Sequence, residues 1–180
     1  SIPSPQSFDI QQMDVKPDQF LDLIKTNYLF RGRWGYTRGS KSKEEYQELL
    51  DSTVFPQYNQ IRKRVIEENM LLPKVHYGWF PCYRENDTLI VESEGKQLEF
   101  PFPRQQQAPH LCLSDYFNNK EQGMDIVGFF VVTVGKKINS VIQQLYENGD
   151  FHEYLLLHGF SVEAAEALAE YTHKMMRNEM

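Results

Sequence analysis

Two cysteines, Cys82 and Cys112, are all that the 180 residues contain. That is too few for a disulfide framework, and their spacing is not the paired pattern of a structural metal site. Long apolar runs are missing as well: the longest, Ile126 to Val134, is far short of a membrane span. The start, Ser1-Ile2-Pro3-Ser4-Pro5, has neither the basic opening nor the apolar core of a secretion signal. A reduced, cytoplasmic setting is therefore expected, with residues 1–16 as a linker entering from something upstream and residues 17–180 as the domain. An excess of positive charge is also absent. The net charge is −6, from 19 Lys and Arg against 25 Asp and Glu, which argues against wholesale nucleic-acid binding.

What is present is ordinary globular composition, 41% hydrophobic and 24% charged, in a length that buries a core without staples. Apolar spacing after Pro17 predicts a short helix over 18–26. Residues 29–39, with three glycines, read as extended or looped. Ser42 and Glu45 form a capping-box pattern, in which hydroxyl and carboxylate satisfy each other's backbone donors. Helix is expected from there to about residue 69, bent where Pro56 removes a donor. Val75 to Tyr83 reads as a buried strand ending near Pro81. Residues 88–92 and 96–100 flank Glu94-Gly95 and read as a hairpin. Ile126 to Val134 lacks alternation and reads as a central strand covered on both faces, ended by Gly135. Helices follow over 138–146, closed by Asn148-Gly149, and from Phe160 to about Arg177. The class is α+β, a single domain with a twisted, mostly antiparallel sheet packed with helices.

Several chemistries fail on spacing. Val134-Gly135-Lys136-Lys137 imitates a phosphate loop, but Phe130 and Lys137 stand where that loop needs Gly and Ser or Thr. His152-Glu153 has no second His at helical spacing, so a zinc-protease arrangement is absent. Cys82 and Cys112 have no local His base and read as inert packing. Arg31-Gly32-Arg33-Trp34-Gly35-Tyr36-Thr37-Arg38 is the one basic, aromatic patch. It could stack on single-stranded bases, or be a strand with packed aromatics whose arginines are exposed or pair locally with acids. Asp115 and Asp125 bracket a polar loop, where carboxylates cap turns or pair with arginine. On the last helix Ala164, Leu168, Tyr171 and Met175 share one face, and Glu166, Glu170, His173 and Arg177 another. Alanines at 165, 167 and 169 leave room beside Glu166 for a cationic ligand; the plainer reading is a solvated face with Glu170 paired to Lys174.

Five segments, in order, resemble the activation domain of cobalamin-dependent methionine synthase. They are Tyr77-Gly78-Trp79-Phe80-Pro81-Cys82, Pro103-Arg104-Gln105-Gln106, Cys112-Leu113-Ser114-Asp115-Tyr116-Phe117, the run from Asp125 to Gly135, and the run from Glu163 to His173. The stretches Phe30-Arg31-Gly32-Arg33-Trp34 and Tyr154 to Gly159 look most like the cyanobacterial branch. The resemblance implies binding of S-adenosylmethionine for the reductive remethylation of cob(II)alamin. The cobalamin would be carried by a neighbouring domain of the same enzyme, and a flavodoxin-type or flavoprotein donor would supply the electron. There is no acid–base catalytic side chain and no metal ligand in this reading, and neither nucleic acid nor membrane is a partner. Glu166 matches the family's helical Glu near the ligand's amino group. The family's Asp at the start of the domain falls in register on Lys25, with Asp22 one turn away as the substitute. The family's Arg-x-x-x-Gly-Tyr-Pro-x-Cys-Pro segment, which wraps the ligand, is expected beyond the Glu166 helix. The sequence reaches Met180 without it, so the 180 residues are expected to fold as the domain core and to bind S-adenosylmethionine weakly or not at all. The alternative is a stand-alone interaction module of the same fold that does not bind it.

Overall fold

The structure, a computed structural model, describes residue 5 and residues 7–180. Most of the Pro-containing lead lies outside the described residues. A short strand β1 (Gln11–Met13) precedes helix α1 (Pro17–Phe20), which continues as a 3₁₀ turn over Leu21–Leu23. Helices α2 (Lys43–Leu49) and α3 (Phe55–Glu67) come next, then strands β2 (Lys74–Glu85), β3 (Thr88–Ser93) and β4 (Lys96–Pro101). Strand β5 (Asp125–Thr133), helix α4 (Lys136–Glu147) and the long helix α5 (Phe151–Glu179) complete the order. The class is α+β as expected, with a mostly antiparallel open sheet and several helices. The strands run in the order β1-β2-β3-β4, with β5 also paired to β2.

The chain separates into two compact units. One holds the described residues up to Gln12 with His76–Phe130 and Met175–Met180; the other holds Met13–Val75 and Val131–Lys174. In the first, Cys82, Leu89 and Val91 form a buried cluster, with Phe80, Phe100, Phe102, Phe117 and Val127 packed against it. In the second, Phe20, Leu21, Leu29, Val54, Phe160 and Leu168 are fully buried or nearly so.

Local chemistry explains the elements that match expectation. Ser42 accepts from the Glu45 N–H and Glu45 accepts from the Ser42 N–H, so α2 starts on the predicted box, worth about 1 kcal/mol. Between β3 and β4, Ser93 pairs Lys96, leaving Glu94 and Gly95 as a two-residue loop with φ of 50° and 73°. Positive φ at both positions is the hairpin turn whose twist suits the strands, and glycine adopts it without penalty.

Four expectations are corrected. Tyr28–Arg33 is a π-helical turn rather than an extended segment; burial of Leu29, Phe30 and Trp34 outweighs the roughly 1 kcal/mol that a glycine costs a helix. The helix expected up to residue 69 is interrupted by a π-turn over Leu50–Val54, because Pro56 has no N–H for the Ser52 carbonyl. β2 runs past Pro81 to Glu85; the β2–β3 ladder begins at the Cys82–Val91 pair, so it needs no donor from Pro81. Finally, β5 is not a strand covered on both faces. Its one partner among the described residues is β2, and Phe129, Phe130 and Val131 are 38%, 37% and 73% exposed. An apolar run without alternation states composition, not which face is covered.

Candidate functional site

The faces of α5 divide as helical spacing dictates. Ala164 and Leu168 are fully buried, Tyr171 and Met175 half-buried, and Glu166, His173 and Arg177 exposed. Glu170 pairs with Lys174 at 3.6 Å across one turn, as the surface reading expects. Glu166 has no hydrogen-bond or ion-pair partner among the described residues. Of the alanines flanking it, Ala167 is buried, while Ala165 and Ala169 are half-buried.

One turn before Glu166 stands Glu163, nearly buried, and it accepts from Arg33 Nε at 3.0 Å. The π-turn delivers Arg33 and Trp34 to this helix. Trp34 Nε1 donates to the Leu156 carbonyl at 3.0 Å, and the Trp34 ring stacks on Phe30 with centroids 5.4 Å apart. Gly159 makes the approach possible: a Cβ there would stand 2.9 Å from Arg33 Cβ and 3.0 Å from the Trp34 ring. Beneath the turn, Phe30 meets Phe55 and Tyr58 edge-on, at 5.1 and 5.8 Å. Removing Arg33 would leave the Glu163 carboxylate buried without a counter-charge, a cost of about 1–3 kcal/mol.

Asp22, the other residue expected at the site, is exposed and bound to Arg62 at 2.6 Å. Its carboxylate is thus already partly neutralised. The same pair bears on Tyr58, whose hydroxyl pKa is raised chiefly by burial; Arg62 opposes the shift and Asp22 adds to it. Gln19, one turn before Asp22, donates to the Tyr171 hydroxyl at 3.1 Å, tying α1 to α5. No hydrogen bond or ion pair joins Asp22 to Glu166 among the described residues. Lys25 is exposed, its carbonyl accepting from the Tyr28 and Leu29 amides.

The remaining motifs are structural. Arg104 donates to both carboxylate oxygens of Asp87 and of Asp115 and to the His110 carbonyl. Asp115 also caps the Cys112 amide, and its pKa falls to about 2, held down by Arg104 first and the Cys112 N–H second. Asp125 accepts from the Asn118 and Ile126 amides. Both cysteines are buried, and burial, with Asp125 second, pushes the Cys82 thiol up to about 12. That is the opposite of an activated nucleophile. Among the described residues no group of three His, Cys, Asp or Glu side chains could hold a metal ion, and no helix is long and apolar enough to cross a membrane.

Sequence reasoning did not find the Arg33–Glu163 pair. The partners are 130 positions apart, and Glu163 reads as one more acid on an acidic helix. The available signal was the coincidence of Arg33-Trp34 with a glycine, Gly159, inside a helical pattern, since such a glycine often marks close packing.

Residues 20–180 match the family described as vitamin B12 dependent methionine synthase, activation domain. The chain is 31% identical over 174 residues to methionine synthase of Mycobacterium tuberculosis and 30% identical over 174 residues to that of Mycobacterium leprae, in each case covering 89% of this chain and 14% of the relative. It therefore spans about a seventh of the length of these relatives. A crystal structure of the MetH reactivation domain bound to AdoHcy superposes with a TM-score of 0.80 at 19% identity, covering 98% of this chain and 57% of that one. The fold is shared with that domain. On the match over residues 20–180, together with these relatives, the chain belongs to the family of activation domains of vitamin B12-dependent methionine synthase.

Proposed function

We propose that this domain binds S-adenosylmethionine for the reductive remethylation of cobalamin, with Glu166 receiving the ligand's α-ammonium. The observation that carries the reading is Glu166 itself, an exposed carboxylate without a partner among the described residues, beside half-buried alanines and on a helix anchored by Trp34 and Arg33. A carboxylate pairs with an ammonium through a short, charge-assisted hydrogen bond. The AdoHcy bound in the solved relative carries the same amino-acid end as S-adenosylmethionine, which supports the ligand class.

The residues fit such a ligand in charge and access. Glu166 would orient its ammonium. Asp22 could add a second acceptor by exchanging Arg62 for the ligand. When bound, S-adenosylmethionine supplies a methyl group from its sulfonium to cobalamin carried on a neighbouring domain of the enzyme, with one electron from a flavodoxin-type or flavoprotein donor. The chain's own part is to bind and orient, so its contribution to rate is positional. The cytoplasm, where such a donor works, is the proposed location.

An NMR titration of the ¹⁵N-labelled 180-residue chain with S-adenosylmethionine up to millimolar concentration tests this. The expected result is a set of saturating shifts centred on 159–170, and Glu166→Gln binding about tenfold or more weakly, as the loss of a charged hydrogen bond dictates. Equal binding by Glu166→Gln would remove that residue from the site. No shift in the wild type at millimolar ligand would overturn the ligand itself and favour the interaction module.

A further inference from the structure

We infer that the junction of α4 and α5 is a separate interaction surface, an aromatic patch that receives a lysine- or arginine-bearing segment of a partner protein. Four rings touch there in sequence. Tyr146 of α4 meets Phe151 edge-on with centroids 5.6 Å apart and Tyr154 at 5.3 Å, and Tyr154 stacks on His158 at 5.6 Å. Phe151, Tyr154, Leu155 and His158 stand at the spacing of one helical stripe, and that stripe is open. Tyr146, Phe151 and Leu155 are 56%, 60% and 44% exposed, His158 is exposed and Tyr154 half-buried. The core does not need these rings, because this end of α5 already buries Leu156, Leu157 and Phe160. Scattered apolar residues are ordinary on a surface, whereas a contiguous cluster rich in tyrosine marks a contact. Every member belongs to the unit of Met13–Val75 and Val131–Lys174.

Charge decides the kind of partner. Glu147 and Asp150, in the turn that joins the two helices, are exposed, and neither is in an ion pair among the described residues. Arg64, which reaches this end of α5 from α3, is taken by Glu68 and Glu153. Lys136 and Lys137 stand at the far end of α4, about 14–15 Å along its axis from Tyr146. Uncompensated carboxylates and the negative faces of aromatic rings both attract a cation; an acidic partner, or the same patch of a second copy, would be repelled. Between the helices the surface dips into a cavity of about 360 Å³ lined by Asn139, Ile142, Gln143, Tyr146 and Tyr154. One long cationic side chain suits it. The apolar stem packs on Ile142 and the rings, and the charged head meets amide oxygen, since Gln143 gives its Nε2 to Glu147 and keeps its carbonyl oxygen as an acceptor. The surface is distinct from Glu166, which lies about 12 Å along α5 from His158, and the inference does not rest on the ligand reading.

The probes are two acetylated peptides of equal length, one repeating arginine-serine-leucine and the other glutamate-serine-leucine, each titrated into the ¹⁵N-labelled chain. The basic peptide is expected to give saturating shifts centred on 139–158, weakening as salt rises, and the acidic peptide to give none. Tyr146→Ser and Tyr154→Ser are each expected to weaken the basic peptide about fivefold or more, the usual loss at an aromatic anchor. Glu147→Gln combined with Asp150→Asn should weaken it about threefold and flatten the salt dependence. Equal response to the two peptides overturns the charge assignment, and no response to the basic peptide at millimolar concentration, or shifts centred elsewhere, overturns the surface. Shifts of the same amides on concentrating the chain without peptide would assign the patch to a second copy and overturn the basic partner. The two peptides on the wild type are decisive by themselves, so a variant that fails to fold leaves the test intact.

Discussion

Arg104 and Glu166 are both charged side chains at the surface, and their partners give them opposite roles. Every donor direction of Arg104 is taken by Asp87, Asp115 or the His110 carbonyl, so it holds a loop and has nothing left for a ligand. Asp115 makes this visible as pH dependence. Its folded pKa, about 2, lies below the ordinary 3.8. The stabilisation is therefore complete above about pH 4 and is lost as pH falls toward 2, the usual sign for a paired carboxylate. Near-ultraviolet circular dichroism during acid titration is expected to change over that window, and Arg104→Ala to move the Asp115 midpoint back toward its ordinary value; an unchanged Asp115 midpoint by NMR would contradict the pairing. In the sequence, Asp115 was readable as a turn cap or an arginine partner because both uses are local. Arg33 was not, because its partner is 130 positions away.

Among the elements, the legible ones carry their instructions within four residues. Ser42 with Glu45, and Glu94 with Gly95, each specify a local hydrogen-bond pattern, so α2 and the β3–β4 hairpin were predictable. The π-turns at Tyr28–Arg33 and Leu50–Val54 were not, since helix and strand patterns are read at periods of 3.6 and 2 and a wider turn matches neither. Helix α5 runs from Phe151 to Glu179, starting well before the expected Phe160, because Gly159 serves packing there rather than termination. Gly159→Val is expected to destabilise the chain by about 1–3 kcal/mol, the range for overpacking, read as a lower midpoint in urea. Unchanged stability would mean that the turn bearing Arg33 and Trp34 yields easily.

For the molecule as a whole, the sequence reveals composition and class but no seam. Four elements, β1, β2, β5 and α5, each have residues in both compact units, so no linker or shift of composition marks the division. The site proposed above belongs wholly to the unit of Met13–Val75 and Val131–Lys174, whose own core of Leu29, Val54, Phe160 and Leu168 holds the π-turn and α5. The two tryptophans fall one to each unit. Trp79 packs beside Gly128 in the sheet unit, and Trp34 stacks on Phe30 in the other. Each unit thus carries its own optical reporter. In Trp79→Phe the remaining emission comes from Trp34, within two helical turns of Glu166, and an adenine-bearing ligand should quench it. In Trp34→Phe the same ligand should leave Trp79 emission unchanged, so a pair of conservative substitutions turns the placement of two indoles into a map of where the ligand sits.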